Sequence, residues 1–327
     1  MAGKPFPILF VTGTRIGDAI LSSGLLKRLH DEIPNATFTI AAGPLAAPLF
    51  AATPNLERLI PMAKRKRSGH WLSLWTKTRG RRWGLVVDLR GSAIANVLST
   101  KRRAVYRRAP GAEPTHKVLE AARVLRVEDD PPAPYLFTTP EIEEAAEAYL
   151  GQGGPILAIA PGANWAGKVW PAERFAEVAT RLLAPDGPLS DGRLLIVGGA
   201  DDRLAAQAVK YAVPRERLVG EPGQLDLLTT YACLKRVRLF IGNDSGAMHL
   251  AAAAGAPTIG LFGPSDDRLY APWGPKARAV RGPRDFEAFV RIDPLLNQAV
   301  GHMFDLPAET VLNAAKALLA ETEDAHG

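Results

Sequence analysis

A single cysteine, Cys233, stands among 327 residues. It excludes an intramolecular disulfide and any cysteine-rich zinc cage, and its place inside LLTTYACLKRV predicts a small buried residue on a helix. No apolar run is long enough to cross a bilayer. The N-terminal PFPILFV is too short and lacks a cleavage region, and the later HLAAAAGAPTIGLFG is broken by glycine and proline. These absences point to a cytoplasmic protein. The full G-x-G-x-x-G fingerprint is also missing, which leaves a dinucleotide-binding site without support. No Asp-x-Asp pair stands at the end of a strand to call for a metal ion. There is no solenoid-length repeat and no low-complexity tract.

Acidic residues are scarce in one place. Eighteen lysines and arginines lie between Arg58 and Arg126, against only Asp88, Glu113 and Glu120. Residues 1–150 carry +8 and residues 151–327 carry −2, within a total of +6. The asymmetry suggests that the first half meets an anionic partner. Nucleic acid is a poor fit, because neither a recognition helix nor aromatic–basic interleaving is present.

Short, continuously apolar runs alternate with amphipathic ones. PILFVT, ATFTIAA, LERLIP, GLVVDL and RAVYR read as strands in the first half, and DAILSSGLLKRLHDE as a helix. PILAIAP, GRLLIVGG, VRLFIGND and PTIGLFG read as strands in the second half, with helices at PAERFAEVATRLLA, from about residue 201 to 211, at QLDLLTTYACLKR and at GAMHLAAAAG. Apolar strands alternating with helices predict parallel sheets covered on both faces. The proline-rich EDDPPAPYLFTTP marks the boundary between two Rossmann-like domains, 1–140 and 141–327. A last helix over 307–322 can belong to the second domain or cross back onto the first. Two such domains are expected to face each other across a central cleft. Ligands of open α/β sheets bind beyond the carboxyl ends of the strands.

Four segments lie at such ends. In VTGTRIGDAI, a glycine-containing turn leads into a helix. Asp18 there is either a helix cap or a carboxylate able to take a proton from an attacking hydroxyl. In PGANWAGKVWPAERF, Lys168 can bring its ammonium to a diphosphate, Asn164 can add a hydrogen bond, and Trp165 and Trp170 read as packing residues. In IGNDSGAMHLAAAAG, Asp244 and Ser245 can cap a helix whose free N–H groups at Gly246, Ala247 and Met248 suit a pyrophosphate, with His249 beside them. In IVGGADDR, Asp202 or Asp201 can bond a ribose hydroxyl or cap a helix.

RIGDAILSSGLLKRL, PGANWAGKVWPAERF and NDSGAMHLAAAAGAPTIGLFGPSD, in that order, resemble glycosyltransferase family 9, the ADP-heptose:lipopolysaccharide heptosyltransferases. The resemblance implies a GT-B fold and inverting sugar transfer from a nucleotide sugar, ADP-heptose foremost, with neither metal nor cofactor. It implies Asp18 as catalytic base. It implies a donor site of Lys168, Asn164, Asp202, Asp244, Ser245, Gly246, Ala247, Met248 and His249. Ser245 stands where better-known members have threonine, which keeps the hydroxyl. The acceptor implied is the anionic inner core of lipopolysaccharide, held by Lys64, Arg65 and Lys66 with help from Arg67, Arg81, Arg82, Lys101, Arg102 and Arg103, at the inner face of the cytoplasmic membrane. VTGTR and NDSG also resemble parts of the non-hydrolysing UDP-sugar 2-epimerases, which share the GT-B fold. The HLAAAAG continuation and the KVWP turn speak against that alternative.

Overall fold

The computed structural model describes residues 4–64, 66–107, 111, 113–296 and 299–323. The chain divides into two compact units, Met1–Thr139 and Pro140–Gly327.

The first unit holds β1 (Phe6–Val11), β2 (Ala36–Ala42), β3 (Leu56–Pro61), β4 (Trp83–Asp88) and β5 (Thr100–Val105). All pair in parallel, in the order β3-β2-β1-β4-β5. The central strand is apolar at successive positions because it is covered on both faces: Ile8, Leu9, Phe10 and Val11 are each 0% exposed. The α-helices α1 (Ile16–Leu21), α2 (Ser23–Glu32), α3 (Gly69–Thr78) and α4 (Ile94–Val97) lie between the strands, and α5 (Lys117–Leu125) follows the last of them. The run read as one helix from Asp18 onward is therefore two, α1 and α2. The Ser22 and Ser23 hydroxyls donate back to the carbonyls of Ala19 and Ile20 at 3.0 and 2.7 Å, which competes with the helical ladder and breaks it there.

The second unit holds β6 (Ile156–Ala160), β7 (Arg193–Ile196), β8 (Leu218–Gly220), β9 (Leu239–Asn243), β10 (Thr258–Phe262) and β11 (Ala277–Arg281), again parallel, in the order β11-β10-β9-β6-β7-β8. Its helices are α6 (Pro140–Leu150), α7 (Ala172–Leu182), α8 (Arg203–Lys210), α9 (Leu227–Leu234), α10 (Gly246–Ala253), α11 (Asp267–Tyr270), α12 (Phe286–Ile292) and α13 (Ala308–Glu323). The last helix, whose destination the sequence left open, packs on α7 and β11. Val311, Leu312, Ala315, Leu318 and Leu319 join the apolar cluster that contains Phe175 and Trp170. Trp170 is wholly buried, stands edge-on to Phe175 at 4.8 Å and donates its indole N–H to the Leu306 carbonyl at 2.9 Å. Cys233 is buried in α9, where the apolar surroundings push its thiol up to about 12 and suppress the reactive thiolate.

Each sheet has one place where the strand order reverses, between β1 and β4 in the first and between β6 and β9 in the second. Crevices that bind ligands form at such switch points. The loops after these four strands are where function is to be sought.

Candidate functional site

In the first unit the loop after β1 is pinned from below. Thr12 Oγ1 and Ser22 Oγ are 2.7 Å apart, and both residues are buried. A Cβ on Gly13 would come within 2.8 Å of the Asp18 Cβ, so only glycine lets the loop pass this close to the first turn of α1. Arg15 occupies the N-cap position of α1, and Asp18 lies two residues beyond its first helical residue. Asp18 is thus a partly buried first-turn carboxylate, favoured there by the helix dipole, and not the cap residue.

Across the same switch point, β4 ends at Asp88, a residue with no exposed surface that the sequence analysis had noted only as a lone acid. Its carboxylate accepts from Arg90 N at 2.9 Å, Ser92 N at 2.8 Å and Ser92 Oγ at 2.5 Å. Burial pushes its carboxyl above the usual carboxylate range, and these three donors pull the other way. Asp88 therefore shapes the loop after β4.

The basic stretch is partly committed elsewhere. Arg81 forks onto Glu57, and Arg103 donates to the Ala95 and Leu98 carbonyls, the former at 2.6 Å. Both already have partners within the unit, which an anionic ligand would have to share or displace. Lys101 and Arg102 are exposed on β5, an edge strand, where charge discourages strand addition. Lys64 and Lys66 are exposed. Arg65 lies outside the described residues.

In the second unit the loops after β6 and β9 meet side by side. Lys168 closes a short 3-10 turn, Ala166–Lys168, and its ammonium reaches Asp244 Oδ2 at 2.5 Å. The pair is largely removed from water, with side chains 18% and 6% exposed. Asn243, wholly buried at the end of β9, ties the two loops together. Its Oδ1 accepts from Trp170 N at 3.1 Å, and its Nδ2 donates to the Pro161 carbonyl at 2.7 Å. In the sequence Asn243 shows only as a polar residue closing an apolar strand, and its role emerges from its burial and partners. Asn243→Ala would strand both backbone groups, each worth about 1–3 kcal/mol when buried and unpaired. Chemical denaturation is expected to show the second unit destabilised by about 2–4 kcal/mol. A loss under about 0.5 kcal/mol, the size of an ordinary surface substitution, would remove Asn243 from this role.

Ser245 takes the N-cap position of α10, yet its side chain makes no cap bond, and its buried Oγ has no partner among the described residues. The expectation that Asp244 and Ser245 cap this helix is therefore corrected, because Asp244 is turned to Lys168. The start of α10, at Gly246, Ala247 and Met248, keeps the N–H groups that a helix cannot satisfy internally. His249 is 4% exposed, with Nε2 4.0 Å from Asp244 Oδ1. Met248 is buried against β10, where a Cβ on Gly260 would lie 2.2 Å from its sulfur. Its side chain is thus packing, and only its backbone N–H is available to an anion.

Asp202 closes the turn after β7, accepting from Gly199 N at 2.8 Å. Asp202 thus serves the turn as the capping alternative has it. The same carboxylate lies against the loop after β6, so closely that a Cβ on Gly162 would fall 1.9 Å from its Oδ1. Asn164 is exposed, and Trp165 packs over Gly167. Among the described residues no group of three histidine, cysteine or carboxylate side chains is arranged to hold a metal ion, and no helix is long and apolar enough to cross a membrane.

The sequence model of glycosyltransferase family 9 (heptosyltransferase) matches residues 70–299. Lipopolysaccharide heptosyltransferase 2 of Salmonella typhimurium is 25% identical over 96% of this chain and 99% of its own length. The structure of Escherichia coli ADP-heptose lipopolysaccharide heptosyltransferase II superposes with a TM-score of 0.75 at 22% identity, covering 97% of this chain and all of that one. A UDP-GlcNAc 2-epimerase from Neisseria meningitidis, bound to UDP-GlcNAc, reaches only 0.50 at 10% identity, over 97% and 92% of the two chains.

Proposed function

The chain belongs to glycosyltransferase family 9 and has the GT-B fold, and from that premise we propose that it transfers a heptose from ADP-heptose to the inner core of lipopolysaccharide, with inversion at the anomeric carbon. The reading rests above all on the Lys168–Asp244 ion pair beside the start of α10, at the switch point of the second sheet. An ammonium has three donors, and one is directed at Asp244. The others, with the N–H groups of Gly246, Ala247 and Met248 and the unpartnered Ser245 hydroxyl, are suited to a diphosphate. Asp202 and Asn164 are assigned to the rest of the donor, Asp202 through the oxygen nearest Gly162, and His249 to holding Asp244 in place.

In the transfer, the acceptor hydroxyl oxygen bonds to the anomeric carbon while that carbon's bond to the diphosphate oxygen breaks. The hydroxyl proton passes to the carboxylate of Asp18, and the electron pair leaves with ADP. Charge grows on the departing oxygen, which is where Lys168 and the α10 N–H groups act. A fixed lysine and a helix start do the work that a divalent cation does in other transferases, so transfer is expected to persist in EDTA. Lys64 and Lys66 are assigned to the anionic acceptor at the cytoplasmic face of the inner membrane. The epimerase alternative loses ground to the full-length likeness to heptosyltransferases.

A thermal-shift screen against ADP-, UDP-, GDP- and dTDP-linked sugars tests the donor. A ligand at about 100 times its Kd adds about 2.7 kcal/mol to the native state. ADP-heptose is expected to give the largest shift, and a UDP-sugar doing so would overturn the assignment.

A further inference from the structure

We propose that Arg90, Trp71, His70 and Lys64 form an anion-binding shelf in the first unit that seats an oxyanion of the acceptor, with Arg90 its main contact. The proposal rests on the glycosyltransferase reading above and adds residues that the basic stretch alone did not single out.

Two elements bring the shelf together. α3 begins after the chain leaves the carboxyl end of β3, and Arg90 follows the carboxyl end of β4. The Arg90 guanidinium lies over the Trp71 ring at 4.8 Å, and the His70 ring stands 5.2 Å from the same indole. Trp71 packs against the core cluster of Leu9, Val11 and Leu74, so the platform is fixed.

What marks the cluster is the lack of a carboxylate paired directly with its guanidinium. Arg28, Arg81, Arg238, Arg268, Arg281 and Arg284 each meet a carboxylate. Among the described residues Arg90 has no direct ion pair; the buried Asp88 attracts its charge from nearby but directs its oxygens to backbone N–H groups and Ser92, leaving the guanidinium fork unoccupied. The guanidinium is half-buried, and that burial disfavours its charge. His70 Nδ1 is buried without a partner among the described residues and feels the positive charges of both Arg90 and Lys64. The first turn of α3 has no acidic residue and no side-chain cap. Arg67 and Ser68, which lead into it, both sit in the left-handed region at φ 51° and 58°, a strained pair that tends to occur at functional sites. An arriving carboxylate or phosphate would supply a direct, bidentate partner to the planar fork of Arg90 and a hydrogen-bond acceptor to His70.

The test compares wild type, Arg90→Gln and Arg90→Lys in the full chain, using a deacylated, heptose-free inner-core oligosaccharide as acceptor. Arg90→Gln is expected to raise the acceptor KM by about tenfold or more while the donor KM stays unchanged. Arg90→Lys, which keeps the charge and loses the fork, is expected to fall between. Repeating the series with carboxyl-reduced and with dephosphorylated acceptor identifies the oxyanion, since the gap between wild type and Arg90→Gln should close for one of them. An unchanged acceptor KM, or a gap that survives both treatments, overturns the proposal. If the wild type transfers no sugar, the functional reading fails. Calorimetric titration of the same oligosaccharide then decides the shelf: binding about tenfold weaker in Arg90→Gln upholds it, and equal affinity or no wild-type binding overturns it.

Discussion

Asp18→Asn is expected to fold, to bind nucleotide sugar as the wild type does, and to lose about 10²–10⁴-fold in kcat. The substitution is nearly isosteric, in the first turn of a short helix. There the lost negative charge costs about 0.3–1 kcal/mol of dipole interaction, too little to unfold the unit. What the amide cannot do is accept the acceptor proton as the new glycosidic bond forms. Steady-state kinetics at saturating donor and acceptor, with donor affinity measured on the same sample, checks the split. A variant turning over at the wild-type rate would end the assignment of Asp18 as base.

The second large effect concerns Lys168. Lys168→Ala removes an ammonium proposed to hold the diphosphate through charge-assisted bonds, worth about 1.5–3 kcal/mol, so the donor Kd should rise by about 10- to 100-fold. It also leaves Asp244, 6% exposed, without its cation. Breaking one side of a buried pair is destabilising by about 3–5 kcal/mol, so lower thermal stability should accompany the binding defect. The two effects separate in Lys168→Ala/Asp244→Asn. Removing the stranded carboxylate should recover much of the stability and leave donor binding weak. Calorimetry below the unfolding range reads the binding. Unchanged donor affinity in the single variant would assign Lys168 to structure alone.

The sequence made the interior strands legible because they are buried on both faces. ILFV in β1, LAIA in β6 and LFIG in β9 are short apolar runs bounded by turn residues, too short for a buried helix, and so read as buried strands. Edge strands were harder. β11, ARAVR, carries two arginines, β8 is three residues long, and β5 begins with the charged TKRRA, so RAVYR was placed too late. Charge suits an edge and hides a strand from any apolar count. The same limit applied at the sites. Lys168 and the segment from Asp244 to His249 stood out because a small-residue turn before a helix has few structural uses. Asn243 and Arg90 did not, because their significance lies in Trp170, 73 residues away, and Trp71, which the folded chain brings to them; Asp88 did not, because a lone acid at a strand end does not show that its carboxylate will hold the next loop. Arg81 and Arg103 showed no partner in the sequence, because Glu57 is brought to Arg81 by the sheet and the Ala95 and Leu98 carbonyls are brought to Arg103 by the turn from α4 into β5.

The most direct measurement supplies purified protein with ADP-heptose, in EDTA, with and without heptose-free inner-core acceptor, follows ADP release and product by mass spectrometry, and reads the new anomeric linkage by NMR. The expected result is ADP release that requires acceptor, one heptose added per ADP, and the anomeric configuration opposite to the donor's. Acceptor-independent conversion of the nucleotide sugar, or a product that retains the donor's configuration, would contradict it.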